Sequence, residues 1–395
     1  MRVHELKKKS SKRVDVRYLQ TLGIQTYGED NLYPQTFRNI LAASSTGAEC
    51  LDRFADFIEG NGFRDVPFSE SVVNRKGDTA DDIHALVCRD VAYYNGLALH
   101  VNYNIYGDIV ELHHVPFENC RLAESDDNGY VGKIAIHPDW SGQKTRGGKV
   151  IKVAKENIDY IDVFNPDKRV VAAQIEAAGG IEYYKGQVLW VSLSGKDIYP
   201  TGKGDRVVTE MSTDEGLANV KYRNVRNNFL PAAMIFTKKG TNITFDQDGN
   251  EIDSRDDDDS FSDSLLQLQG DTNCGKLMEV TLETDEDKPE VVSLNSQNYD
   301  KEFTVTDISV TERIYSAFGQ EPWYCIRIGK VGFSGDILED AFEYYNSIVS
   351  KQQRLIERTF ARVFRHFYEA VNTSNDFSVE PLKYVRNATV SDNNA

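Results

Sequence analysis

Two histidines stand side by side at His113 and His114, and imidazole is the commonest metal ligand and proton carrier. In a strand, neighbouring side chains point to opposite faces, so the pair cannot readily serve one metal and reads as core or surface histidine. The run TGKGD at 201–205 has the residues of a phosphate loop. It lacks the GxxxxGK[ST] spacing that wraps backbone N–H groups around phosphate, and reads as a turn. DQDGN at 246–250 offers calcium-type carboxylates, but its glycine falls at the fourth position where an EF-hand loop needs it at the sixth. A hairpin turn between NITF and EI is the better reading. The five cysteines, Cys50, Cys88, Cys120, Cys274 and Cys325, are odd in number and widely spaced with no CxxC pair. They suit neither a disulfide framework nor a zinc site, and read as buried free thiols in a reducing compartment. No GxSxG, HExxH, DFG-like set or dinucleotide fingerprint occurs. The chain is therefore expected not to be an enzyme and to carry no cofactor and no metal.

The segment GQEPWYCIRIGKVGFSGD at 319–336 is different. It sets Pro322, Trp323, Tyr324, Arg327 and Lys330 among Gly319, Gly329, Gly332 and Gly335, between two helical stretches. That composition suits a mobile element making a few cationic contacts, with an ordinary long connection between helices as the alternative.

The elements that must position this segment can be read from periodicity. Pro34 can open a helix whose buried face is Phe37, Ile40, Leu41, Ala48, Leu51, Phe54, Ala55 and Ile58, ended by Gly60, Asn61 and Gly62. Asp78 or Thr79 caps a second helix over 81–94, with Ile83, Leu86, Val87, Asp90, Val91 and Tyr94 on one face. LALHVNYN and IVELHHV form two strands about a turn, followed by strand-like KIAIHP, NIDYIDVF, VVAAQIEA, IEYY and QVLWVSL. The first half is thus α+β, with helices followed by antiparallel strands. From Val208 to Phe229 a helix carries acids near its start and bases near its end, complementing its dipole, above a thin apolar stripe. Residues 232–298 alternate strand runs with the acidic DQDGNEIDSRDDDDS, a solvated insert. The stretch 302–318 is ambiguous between strand composition and helical period. From Ile337 to about Tyr368, Leu338, Phe342, Tyr345, Val349, Ile356, Phe360, Val363 and Phe367 form one long helical stripe.

The chain has 395 residues, 40% hydrophobic and 11% aromatic, enough for two or three domains with real cores. No apolar run approaches the roughly 20 residues of a membrane span. No apolar segment follows the basic start MRVHELKKKSSKR, so the chain is expected to be soluble, unexported and free of membranes. A formal charge of −17 excludes a protein that grips nucleic acid through Lys and Arg. It permits a channel that repels phosphate and lets it slide.

Taken in order, these parts resemble the portal proteins of tailed bacteriophages. The resemblance is carried by YGEDNLYP, FIEGNGF, the passage NGLALHVNYNIYGDIVELHHVPFENCRL, and the order helix, insert, helix, loop, long helix, and covers residues 27–370. It implies an α+β, portal-like fold: a basic arm over 1–26, a mixed helix and antiparallel-sheet wing over 27–207, and stem helices over 208–229 and 300–318. These flank an α/β clip over 230–299, and are followed by a tunnel loop over 319–336, a long wing or crown helix over 337–370 and a polar tail over 371–395. On this resemblance the stretch 302–318 becomes helix. The family forms a ring, usually of twelve subunits, at one capsid vertex, through which double-stranded genomic DNA is packaged and ejected. The implied partners are further copies of the chain, the DNA, terminase, head-tail connector or adaptor proteins and the major capsid protein. The implied location is the virion, and the host cytoplasm during assembly. The implied site residues are Trp323, Tyr324, Arg327 and Lys330 facing the channel, and Asp256, Asp257, Asp258 and Asp259 meeting partners on the clip. The competing readings are a phage-encoded nucleic-acid-processing enzyme or hydrolase without a recognisable motif, and a binding module whose acidic insert meets a basic partner.

Overall fold

A computed structural model describes residues 14–143, 145–146, 149–150, 152–193, 198–227, 233–236, 243–245, 251–253, 290–293, 299–332, 334–368 and 376–384. The chain divides into two units, residues 1–212 with 311–395, and residues 213–310.

The first unit begins with a small hairpin, β1 (Tyr18–Leu19) and β2 (Ile24–Gln25). The part of the expected arm from Val14 onward is therefore folded. Ile24 is fully buried in a cluster with Ala135, Trp140 and Ile158, because the basic run gives way at Val14 to apolar residues that can be covered. The single helical face expected from Phe37 to Ile58 is divided between α1 (Tyr33–Ala43) and α2 (Ser45–Glu59). Ser44 breaks it with extended backbone, and its side chain accepts from Gly47 N as the N-cap of α2. A short helix α3 (Val66–Ser69) leads to α4 (Ala80–Tyr94). Thr79 and Asp82 close a capping box at the start of α4, and Asn95, in the left-handed region, ends it. Leu86, expected on its buried face, is exposed, while Ile83, Val87, Val91 and Tyr94 are buried.

A six-stranded sheet lies beside these helices. Its strands are β3 (Gly96–Tyr103), β4 (Ile109–His114), β5 (Cys120–Leu122) and β6 (Lys133–Ile136). After a separate pair, β7 (Thr145–Arg146) and β8 (Lys149–Val150), the sheet gains β9 (Asp159–Val163) and, beyond helix α5 (Lys168–Ala178), β10 (Gln187–Ser192). The order across the sheet is β4-β3-β10-β9-β6-β5. All pairings are antiparallel except β9 with β10, which is parallel. This corrects two expectations. The sheet is mixed, and VVAAQIEA is helix: its alanines favour helix, Asp167 caps the start, and left-handed Gly179 ends it. A parallel pair needs such a crossover, since a tight hairpin cannot return the chain in the same direction. IEYY, also expected as strand, falls in the turn between α5 and β10.

The TGKGD run leads into a 3-10 helix, Lys203–Val207, and then α6 (Val208–Asn227). Gly202 is there for close packing: a Cβ would lie 2.1 Å from the Tyr93 carbonyl oxygen. In the second unit, β11 (Ala233–Phe236), β12 (Ile243–Phe245), β13 (Glu251–Asp253) and β14 (Glu290–Ser293) form two antiparallel pairs, β11 with β14 and β12 with β13. The β12 and β13 pairing brackets DQDGN as the hairpin reading expected. Asp256 to Asp259 lie outside the described residues.

The ambiguous stretch is helix, within α7 (Tyr299–Phe318). A seven-residue helix α8 (Glu321–Arg327) follows, then α9 (Gly335–Phe364), capped by Ser334. α9 packs along α2 and reaches α4: Gln353 Nε2 donates to the Phe57 carbonyl at 2.9 Å, and Phe360 meets Phe63 and His84 edge-on. The described part of the polar tail is packed against the helices. Residues 376–384 return to the first unit, where Asn61 N donates to the Glu380 carbonyl at 2.7 Å and Glu380 N to the Gly62 carbonyl at 2.9 Å. Gly60 permits this approach, with φ of 65° and a Cβ position only 2.3 Å from the Glu380 oxygen.

Candidate functional site

The segment between α7 and α9 was expected to be a glycine-punctuated loop, and its centre is instead the helix α8. Pro322 in the first turn sets φ for a helix start without wasting a backbone donor. The aromatic pair then faces inward. Trp323 packs against Phe57 at 5.6 Å and Tyr345 at 5.0 Å between ring centroids, with the Arg53 guanidinium 5.6 Å over its ring. Tyr324 is buried and lies 5.7 Å from the Tyr315 ring. Both side chains fix α8 to the body.

Gln320, which precedes α8 and is fully buried, organises the junction. Its Nε2 donates to the Cys50 carbonyl at 2.6 Å and to Tyr345 Oη at 2.8 Å, while its Oε1 accepts from Arg53 at 2.7 Å. The Phe318 carbonyl, at the end of α7, accepts from Lys203 Nζ at 2.7 Å and from Tyr345 Oη at 3.1 Å. A cation at a helix C-terminus offsets the partial negative charge of its unpaired carbonyls. Burial nonetheless lowers the Lys203 pKa to about 8, and the ammonium sits 4.5 Å from the Phe54 ring centroid. Sequence reasoning did not find Gln320, Lys203, Arg53 or Tyr345 as a group. Pro322 two residues after Gln320 was the one local signal of the helix that brings them together.

The two cations of the segment have separate fates. Arg327 donates to Tyr315 Oη at 3.1 Å and lies 3.6 Å from Glu49. Hydrogen bonding to the Tyr315 hydroxyl raises its pKa. Lys330 is exposed on the linker between α8 and α9, beside exposed Ile328 and Gly329. Of the four residues expected to face a channel, Tyr324 is buried, Trp323 is half-buried, and Arg327 and Lys330 are exposed, Arg327 being tied to Tyr315 and Glu49.

The two histidines are half-buried and make separate contacts. His114 Nε2 lies 2.7 Å from Asp90 Oδ2, which also accepts from Phe117 N at 2.9 Å. His113 stacks on His100 across the β3 and β4 pair. Cys50, Cys88 and Cys120 are buried and Cys325 is half-buried, none of them in a disulfide, while Cys274 lies outside the described residues.

The helices on either side of the insert carry few buried residues. On α6 they include Met211, Asp214 and Leu217, and on α7 Val310, Ile314, Tyr315 and Phe318. Ion pairs join Glu210 to Arg313 at 3.4 Å and Lys221 to Asp307 at 2.6 Å. Apolar side chains on both helices face outward: Val220 is 37% exposed, Val305 68% and Ile308 55%.

No protein-family model and no curated protein matches the sequence. Among solved structures, the chain is similar to one in the virion of a native gene transfer agent particle, at 13% identity and a TM-score of 0.45 over 88% of this chain and 83% of that one. It is also similar to a chain in the neck of the native particle with C12 symmetry, at 14% identity and a TM-score of 0.42 over 83% and 78%. A third similarity is to the crystal structure of an HK97-family phage portal protein from Corynebacterium diphtheriae, at 10% identity and a TM-score of 0.34 over 70% and 76%.

Proposed function

We propose that this chain is the ring-forming portal subunit of a tailed phage or phage-like particle, sited at one capsid vertex with DNA passing through the ring. The observation that carries the reading is the outward apolar face on the helices flanking the insert. Val220, Val305 and Ile308 project from α6 and α7 in a single copy of the chain. Residues spaced three apart on a helix share a face, so Val305 and Ile308 form one patch that a neighbouring copy would cover. The element order agrees: α6, the paired strands of the insert, α7, α8 with its linker, and then α9. On this reading α6 and α7 are the stem, residues 230–299 the clip to which terminase and connector proteins dock, and the linker with Lys330 the part of the segment nearest the DNA. The net charge of −17 keeps the channel from gripping its cargo. Mass photometry of the purified chain tests the proposal. A ring appears near twelve times 44.6 kDa, whereas a monomer at every concentration rejects it.

A further inference from the structure

A cleft of about 390 Å³ opens in the first unit between residues 28–30, α1 and the start of α6. Its floor is Phe37, Ile40 and Val208, its wall the Tyr33 ring, and its rim the carboxylates of Glu29, Asp30 and Asp205. Tyr33 Oη donates to Asp205 Oδ1 at 2.8 Å, which ties the ring to a carboxylate of the lining. An apolar floor, an aromatic wall and an acidic rim together fit a lysine or arginine side chain. The methylene stem lies on the floor, and the charged head reaches the rim and the ring face.

We infer that the occupant is the chain's own basic segment Lys7–Arg13, KKKSSKR, docked in cis. Charge complementarity is the first argument: five cations, Lys7, Lys8, Lys9, Lys12 and Arg13, stand in seven residues. The course of the chain before β1 is the second. Arg17 extends the β1 and β2 pairing, its N–H donating to Thr26 Oγ1 at 3.0 Å and its carbonyl accepting from Thr26 N at 2.8 Å. Followed backward from Arg17, that pairing leads the chain toward Gly28–Asp30, the near wall of the cleft. Arg17 itself already reaches Glu29 at 3.6 Å. The basic segment ends four residues before Arg17, so at most about 14 Å of extended chain separates Arg13 from the residue that already reaches Glu29. Docking there would place the segment against Val208, the first residue of α6, so the arm would brace the root of the helix that leads into the insert.

The proposal does not depend on the ring. The test is a cross-link in the full-length chain between Ser11→Cys and Thr36→Cys, Thr36 being exposed on the cleft wall. A short bis-maleimide is the reagent, and Ser11→Cys with Arg169→Cys on α5 is the control pair. The expected product is an internally bridged single chain, formed faster than in the control. Glu29→Lys with Asp30→Lys should slow it roughly tenfold, two exposed ion pairs each being worth a factor of a few at low salt. High salt should slow the unsubstituted pair in the same way. Bridging no faster than the control, or unaffected by the charge reversals and salt, overturns the inference. Bridging found only between two chains overturns the assignment in cis.

Discussion

If the chain forms the proposed ring, replacing Val305 and Ile308 with serine should dissolve it and leave the fold of each copy intact. Fully burying a Val or Ile side chain stabilises by about 1.5–3 kcal/mol. Val305 is 68% exposed and Ile308 55% exposed in one copy, so a neighbour can still supply about 1–2 kcal/mol at each, or about 2–4 kcal/mol together. Since 1.4 kcal/mol is tenfold in an equilibrium constant, each contact between copies weakens on the order of a hundredfold. Every copy in a ring makes two such contacts, so the concentration at which rings appear should rise steeply. The assay is mass photometry of Val305→Ser/Ile308→Ser beside the parent chain over a concentration series, with circular dichroism to confirm unchanged helix content. Rings forming at the parent's concentrations, with helices intact, would show that this face stays in solvent and that the stem assignment is mistaken.

Arg121 is fully buried and donates to the carbonyls of Asn31, Glu118 and Cys120 and to the Asn31 side chain. Arg121→Met strands these acceptors and should lower stability by about 3–5 kcal/mol in urea unfolding; a loss under about 1 kcal/mol would refute their dependence on it. His84 is fully buried, and burial lowers its pKa to about 4 from 6.5. The unfolded chain therefore binds the extra proton first, and stability should fall as pH drops from 6.5 toward 4, by at most about 1.4 kcal/mol per pH unit. His84→Gln should flatten that slope, and an unchanged slope would assign it to other groups. Arg327→Ala should lower the melting temperature by releasing Tyr315 and Glu49, whereas Lys330→Ala should leave it unchanged. If the linker meets DNA, Lys330→Ala should reduce the salt dependence of DNA association by about one counterion per lost phosphate contact. An identical salt slope would mean that the linker does not touch DNA.

Long, regular periodicity was legible in the sequence. The stripe through Tyr345, Val349, Ile356, Phe360 and Val363 became the buried face of α9, and Thr79 marked the start of α4. Local signals with a competing composition misled. The valines of VVAAQIEA suggested strand, yet Asp167, the alanines and Gly179 define a helix, and only the direction of β10 relative to β9 required one. The candidate site was legible in position and not in character. Glycine spacing suggested an open loop, while the contacts that fold α8 inward come from Phe57, Arg53 and Cys50, far away in the chain. Such long-range partners leave no trace in a local window. The tail illustrates the same point, since Val379 and Glu380 find their partners at Phe63, Asn61 and Gly62.

The seating of α9 and the returning tail on α2 has a consequence for biosynthesis. The bond from Gln353 to Phe57 spans 296 residues of sequence, and that from Asn61 to Pro381 spans 320. A ribosome therefore releases α2 and α4 well before the surfaces that cover Phe57, Phe63 and His84 exist. At about 5–20 residues per second, that interval lasts on the order of tens of seconds. Over it, the nascent chain exposes an aromatic face with a high contact order, the condition under which folding is slow and chaperone capture is favoured. Yield of native protein should accordingly respond more to chaperone supply and growth temperature than the stability of the finished fold would suggest.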